Sequence, residues 1–233
     1  MKDEKIIELF GSWSPAVIDF CRTSSFDAIL KTIVEKEDAG ITISPSLKNI
    51  FKAFQITEFK NTYVIWFGLD PYFNGEATGI SMGLPKDWAG KIPATHKILM
   101  MELDNTYGSN AGVDPTFETW AKQGILMLNK ALTIENKVTK GHIELWRPFM
   151  THLCKWINEH TSGLIIAMFG KEAQKLGEHF NPDNFWLLNI VHPAAEAHAG
   201  GSAGFFHSNF YKQINDILWK QHKHKIQWLP EED

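Results

Sequence analysis

The sequence predicts an α/β fold: a single-domain α/β/α sandwich with a central four-stranded parallel sheet flanked by helices. Three observations carry this. Four short apolar runs recur along the chain, helical patterns lie between them, and each run gives way to a polar or glycine residue. Runs too continuous for half-exposed strands and too short for buried helices are typical of parallel strands covered on both faces. Alternating such strands with helices makes β-α-β crossovers.

Taken in order, residues 1–40 form an N-terminal helical part. Within it, "PAVIDFCRTSSFDAILKTIVEKEDAG" predicts one or two helices ending at Gly40. "YVIWFGL", Tyr63 to Leu69, is the first strand. A helix over Pro115 to Lys122, with Asp114 as its N-cap, precedes the second strand, "ILML", Ile125 to Leu128. A helix from Trp146 to His160, with Pro148 in its first turn, leads to the third, "LIIAMF", Leu164 to Phe169. Lys171 to Leu176 reads as a helix stopped by Gly177, before the fourth strand, "FWLLNIV", Phe185 to Val191. "FYKQINDILWKQHK" then closes the chain as an amphipathic helix. No linker, repeat or low-complexity segment interrupts the pattern, so one domain is expected over 1–233.

Composition narrows the function classes. A chain of 233 residues is long enough to bury roughly 70–75% of its unfolded surface. The 23 Lys+Arg against 27 Asp+Glu leave −4 with neutral His, so an anionic partner must meet a local patch. Cys21 and Cys154 stand far apart with no CxxC, which suits a reducing compartment and gives neither a cysteine zinc site nor a disulfide framework. Only His222 and His224 are closely spaced, in a polar tail, so no metal is expected. No stretch approaches the length of a membrane span, and "MKDEKIIELF" carries acids where a signal peptide does not. The expectation is a soluble protein, cytoplasmic or, in a eukaryote, nuclear, and not secreted.

The residues that end each strand are the informative part: Asp70-Pro71-Tyr72 after the first, Asn129 after the second, Gly170-Lys171 after the third and His192-Pro193 after the fourth. In open α/β sheets, ligands bind outside the carboxyl ends of the strands. Each residue alone has a structural reading, since Asp-Pro starts turns, Asn caps them and a lone His is commonly a satisfied one. Their coincidence on one sheet edge is harder to assign to separate structural needs. Asp, His and Asn, without a placed Ser or Cys nucleophile and without a metal cluster, suggest activation of water and stabilisation of a leaving group.

The motifs "GLDPYFNGEATGISMGLP", "LMLNKALTI", "FGKEAQKLG", "VHPAAEAHAGGSAGFFHSNF" and "IQWLP" stand in the order and approximate spacing of the uracil-DNA glycosylase family, uracil-N-glycosylase branch, which the chain resembles from about Trp13 onward. "GITISPSLKNIFKAF" and "KIPATHK" also fall where that family has counterparts. The resemblance implies a monomeric DNA glycosylase that hydrolyses the N-glycosidic bond of deoxyuridine in single- or double-stranded DNA, using no metal or cofactor. It also implies a DNA-mimicking protein inhibitor as a partner. A base inside a duplex must be extruded into a pocket first. On this resemblance Asp70 activates the water and favours the sugar cation, and His192 donates to the carbonyl oxygen on which charge develops. Asn129 reads the uracil amide edge, and Tyr72 excludes the thymine methyl. Pro93, Ala94 and Thr95, Gly170 and Lys171, and Pro193, Ala194, Ala195 and Glu196 then lie at the DNA backbone, with Gly170 and the following helix start offering N–H groups to a phosphate.

The chain departs from the family pattern at several places. Leu69 stands where the family has Gln, and Phe73 where it has His. Met82 stands where the family stacks a Phe on the base, exchanging a flat ring for an adaptable thioether. After His192 the loop reads Ala194-Ala195-Glu196 instead of Ser-Pro-Leu and is about three residues longer, so the aligned position lacks the wedging Leu. An acid there faces phosphates at a cost in affinity. Two alternatives arise from these departures: a glycosylase for another modified pyrimidine, and a DNA-binding or replication-accessory protein that has lost most turnover. Lys86, Lys91, Lys97, Lys137, Lys140, Lys171 and Lys175 are candidates for phosphate contacts.

Overall fold

The computed structural model describes residues 1–231; Glu232 and Asp233, the end of the expected 1–233 span, lie outside the described residues. Its elements run α1 (Asp3–Phe10), α2 (Ser14–Cys21), α3 (Ser24–Asp38), β1 (Ile43–Ser44), α4 (Lys52–Ile56), β2 (Val64–Gly68), α5 (Ala94–Tyr107) and α6 (Glu118–Lys122). They continue with β3 (Ile125–Asn129), β4 (Ile134–Glu135), α7 (Ile143–His160), β5 (Ile165–Phe169), α8 (Lys171–Gln174), β6 (Trp186–Ile190), α9 (Ala194–Ala199) and α10 (Phe210–Lys220).

The four apolar runs are β2, β3, β5 and β6, all parallel, in the spatial order β3-β2-β5-β6. Side chains alternate across a strand, so each face of the sheet takes its own residues. Ile65, Phe67, Leu126, Leu128, Ile166 and Met168 join the core under α1–α4 and α7. Val64, Trp66, Ile125, Met127, Ile165 and Ala167 join the core under α5, α6, α10 and the closing Ile226 and Trp228. Two apolar faces explain why the β2, β3 and β5 runs are continuous rather than alternating; β6, at the sheet edge, is not covered on both faces as expected, with Trp186 and Asn189 exposed and only Ile190 buried. A small antiparallel pair, β1 with β4, was not foreseen.

Three helix boundaries differ from expectation. Asp114 does not cap a helix from Pro115: its carboxylate accepts from the Thr116 N–H (3.0 Å) and hydroxyl (2.6 Å). Phe117 then turns left-handed, and Thr116 Oγ1 accepts from the Glu118 N–H at the true start, Glu118. The helix expected from Trp146 begins at Ile143, which moves Pro148 into its interior. The Glu144 carbonyl thereby loses its usual donor, a loss tolerated because Glu144, Arg147 and Pro148 face solvent. Gly177 does not stop a helix; α8 tightens into a 3₁₀ turn at Lys175–His179 that runs through it.

Candidate active site

The carboxyl ends of the four parallel strands bring Asp70, Asn129, Gly170 and His192 to one edge. Gly68 pairs with Asn129 in register, and beyond it the Lys130 and Ala131 N–H groups donate to the Gly68 and Leu69 carbonyls, both at 3.0 Å. The exit of β2 is thereby tied to the exit of β3. Half-buried Leu69 packs against the α7-side core, so its side chain serves the fold.

Asp70 comes immediately after. One carboxylate oxygen, Oδ2, accepts from the Lys140 backbone N–H at 2.8 Å. Burial pushes the Asp70 carboxyl above its ordinary range, while that N–H and the Lys140 charge pull it back in part.

Asn129 is 9% exposed, and its Oδ1 accepts from the Ser81 hydroxyl at 2.7 Å. That bond fixes the amide and leaves Nδ2 as a donor. Tyr72, Met82 and Asn129 share a small cavity with Ile80, Leu132 and Pro71, of about 10 Å³. This is room for roughly one water. Met82 is 7% exposed and left-handed, at φ 62°. Its carbonyl accepts from the Tyr72 hydroxyl (3.4 Å) and from His96 Nδ1 (3.0 Å), and His96 stacks on Phe117. Since a carbonyl only accepts, Nδ1 of His96 carries the proton. Burial drives the Tyr72 phenol up and the His96 imidazole down, so both stay neutral at neutral pH. Ser81 and His96 were missed as site residues; they lie inside the quoted motifs, but nothing in the sequence tells which way they point.

His192 lies two residues past β6. Its Nδ1 accepts from the Ala194 N–H at 3.2 Å, which puts the proton of the neutral ring on Nε2. Burial lowers its pKa and favours that neutral form. A Cβ at Gly170 would come within 2.9 Å of His192 Cβ, so the glycine, at φ 84°, makes room for the imidazole. The Gly170 N–H already donates to the Ile190 carbonyl at 2.8 Å and is not free for a phosphate; Lys171 beside it is exposed.

Of the residues expected at DNA, Ala94 is exposed, Pro93, Ala194 and Ala195 are half-buried, and Pro193 is buried. Thr95 is 8% exposed and so buried in the protein. The expectation of a loop with an outward acid after His192 is corrected. Residues 194–199 form α9, and Glu196 is 2% exposed, its carboxylate accepting from the Ala203, Phe205 and Phe206 N–H groups. Unpaired N–H groups of a glycine-rich loop need an acceptor, and this carboxylate supplies one. Burial pushes the Glu196 carboxyl up, yet these donors outweigh it and the net shift is downward. No group of three or more metal-ligating side chains occurs among the described residues.

No family model matches the chain. Curated relatives do. A uracil-DNA glycosylase of Klebsiella pneumoniae is 33% identical over 94% of this chain and 95% of the relative. A uracil-DNA glycosylase of Escherichia coli is 30% identical with the same coverage. Among solved structures, mimivirus uracil-DNA glycosylase superposes with a TM-score of 0.86 at 18% identity, over 99% of this chain and 90% of that one. The UNG of Nitratifractor salsuginis gives 0.61 at 19% identity, over 94% and 93%. The structural likeness carries the fold, and the sequence likeness over almost the whole length carries the family: this chain belongs to the uracil-DNA glycosylases.

Proposed function

We propose that the protein releases uracil from DNA by hydrolysing the N-glycosidic bond of deoxyuridine, leaving an abasic site for base-excision repair. The observation that carries the reading is the meeting of Asp70, Asn129 and His192 at the carboxyl edge of one rigid sheet. A buried strand can hold a reacting group to within a fraction of an ångström.

Asp70, with Oδ2 held by Lys140, uses its remaining oxygen to orient and deprotonate a water that attacks C1′. The C1′–N1 bond breaks through an oxocarbenium-like sugar and uracil departs as an anion. Neutral His192 donates its Nε2–H to the carbonyl oxygen where that charge collects. Asn129, oriented by Ser81, donates Nδ2–H to the other carbonyl and accepts from the ring N3–H on the free lone pair of Oδ1. Cytosine, with a bare N3 and an amino group there, mismatches both. Tyr72 closes the side of the pocket next to C5, and Met82 packs on the ring. The closed cavity means that Tyr72 and Met82 part as the base enters. Ala94, Ala194 and Ala195 at the start of α9, and Lys171 form the DNA-facing rim, while Glu196 and Thr95 serve the fold behind it. Mimivirus UNG variants crystallised in complex with UGI support a protein inhibitor as a partner, and the site needs only one copy of the chain.

The test is base release from single- and double-stranded oligonucleotides carrying uracil, thymine, cytosine or an oxidised pyrimidine, with alkali then added to break abasic sites. Release confined to uracil is expected. Release of an oxidised pyrimidine without uracil overturns the substrate, and DNA binding with no release overturns the activity.

A further inference from the structure

The segment between β4 and α7, residues 136–142, crosses the strand-end edge as a strap. It brings no side chain to the base pocket, but its Lys140 N–H holds Asp70 Oδ2 at 2.8 Å. Lys137 and Lys140 are both left-handed, at φ 65° and 63°, a conformation lysine adopts only where its surroundings impose it.

Each stands third in a tight turn, closed by the Val138 N–H donating to the Glu135 carbonyl and the Gly141 N–H donating to the Val138 carbonyl, both at 3.1 Å, and a buried polar chain anchors the strap's end. Trp146 Nε1 donates to Thr133 Oγ1 at 2.7 Å, and Thr133 Oγ1 lies 2.8 Å from His142 Nδ1. His142 Nε2 lies 3.2 Å from Glu135 Oε1, which also accepts from the Lys36 ammonium at 2.7 Å. Thr133 and Trp146 are fully buried and His142 is 2% exposed. The protons have one consistent order: the Thr133 hydroxyl donates to Nδ1, and Nε2–H donates to the carboxylate. Burial lowers the His142 pKa and favours that neutral ring. Hydrophobic residues would dock α7 as firmly without the desolvation cost. They would not fix which backbone N–H of the strap meets Asp70.

Resting on the function proposed above, we infer that His142 is a positioning residue for Asp70: anchored between Thr133 and Glu135, it sets the strap so that the Lys140 N–H grips one carboxylate oxygen and turns the other to the water. The charged groups involved are Lys140 facing Asp70, Glu172 3.9 Å from the Lys140 ammonium, and Glu135 with Lys36 facing His142. A hydrogen bond to the charged form favours that form. Loosening the strap therefore raises the Asp70 titration midpoint.

The experiment tracks the Asp70 carboxyl by carbon-13 NMR across pH in the full chain, with Asp70→Asn to assign its signal and thermal melting to confirm folding. His142→Ala is expected to raise the midpoint by about one pH unit and Glu135→Gln by less. On the acid side, single-turnover uracil release then falls roughly tenfold with the ionised fraction. Lys140→Met keeps the N–H and is expected to shift the midpoint less than His142→Ala. Midpoints unmoved in folded His142→Ala and Glu135→Gln overturn the inference, as does a full shift from Lys140→Met alone. If His142→Ala does not fold, Glu135→Gln decides. A wild type that releases no uracil defeats the function instead, and the NMR readout still judges the strap.

Discussion

At Gly68, the last residue of β2, any Cβ would overlap Asn129 Oδ1 and Ser81 Oγ. Gly68→Ala is therefore expected to displace the Asn129 amide and cut single-turnover uracil release by about 10²-fold or more, in the range of a lost transition-state donor. A melting temperature near wild type would localise the effect to the site, and an unchanged rate would show that Asn129 is not needed where it stands. The titrating residues set the pH dependence. Asp70 acts ionised and its pKa is raised, so its contribution is lost on the acid side above the ordinary Asp value of about 3.9. His192 acts neutral and its pKa is lowered, so it stays neutral to below the ordinary His value of about 6.5. The pH profile of single-turnover release should be flat near neutrality and fall on the acid side, with its midpoint above the ordinary Asp value of about 3.9. A midpoint at or below the ordinary Asp value would contradict the Asp70 shift.

Among the elements, the segment from α9 to α10 is organised by two buried carboxylates. Glu196 takes the N–H groups of Ala203, Phe205 and Phe206, and Glu102 on α5 takes those of His207 (2.8 Å) and Asn209 (2.9 Å). Because the Glu196 pKa is lowered, its stabilisation is present above the ordinary Glu value of about 4.3 and lost as pH falls through the folded value. Glu196→Gln is expected to cost about 2 kcal/mol at neutral pH, as for lost hydrogen bonds to a charged group. Its loss should shrink as pH drops, and amide exchange should speed up across 200–209 without change in the sheet. Uniform exchange rates there would refute the clamp. This loop also marks where sequence reading stops. β2, β3 and β5 were legible because burial on both faces writes a continuous apolar run, β6 because its run is apolar although only Ile190 in it is buried, and Asp70, Asn129 and His192 because they end such runs. Glu196 was not, since an acid in a small-residue loop looks solvated until its N–H partners are seen. The Lys140 contact is made by backbone and leaves no residue-type signature. The start of α6 was misplaced because Asp114 and Thr116 bond to each other, a competition among short polar side chains that spacing does not resolve.

The whole molecule sets the site on two cores separated by the sheet. Phe149 of α7 lies in an aromatic cluster with Phe10 (5.9 Å), Phe20 (5.8 Å), Phe26 (6.1 Å) and Phe54 (6.3 Å). Phe149→Ala should cost about 3–5 kcal/mol and lower the melting temperature by roughly 10 °C. The pH profile of the folded fraction should stay in place; a displaced profile would mean that the core also tunes the edge. With a net charge of −4, DNA binding depends on the local rim, so the aliphatic depth of the fold is separable from contact with the phosphates. No helix among the described residues is long and apolar enough to cross a membrane. The central claim, that Asp70 at the end of β2 activates the water, meets its most direct test in Asp70→Asn, assayed for single-turnover uracil release and for binding to the same oligonucleotide. Binding near the wild-type level with release slowed by about 10²- to 10⁴-fold is the predicted result; release as fast as in the wild type would contradict it.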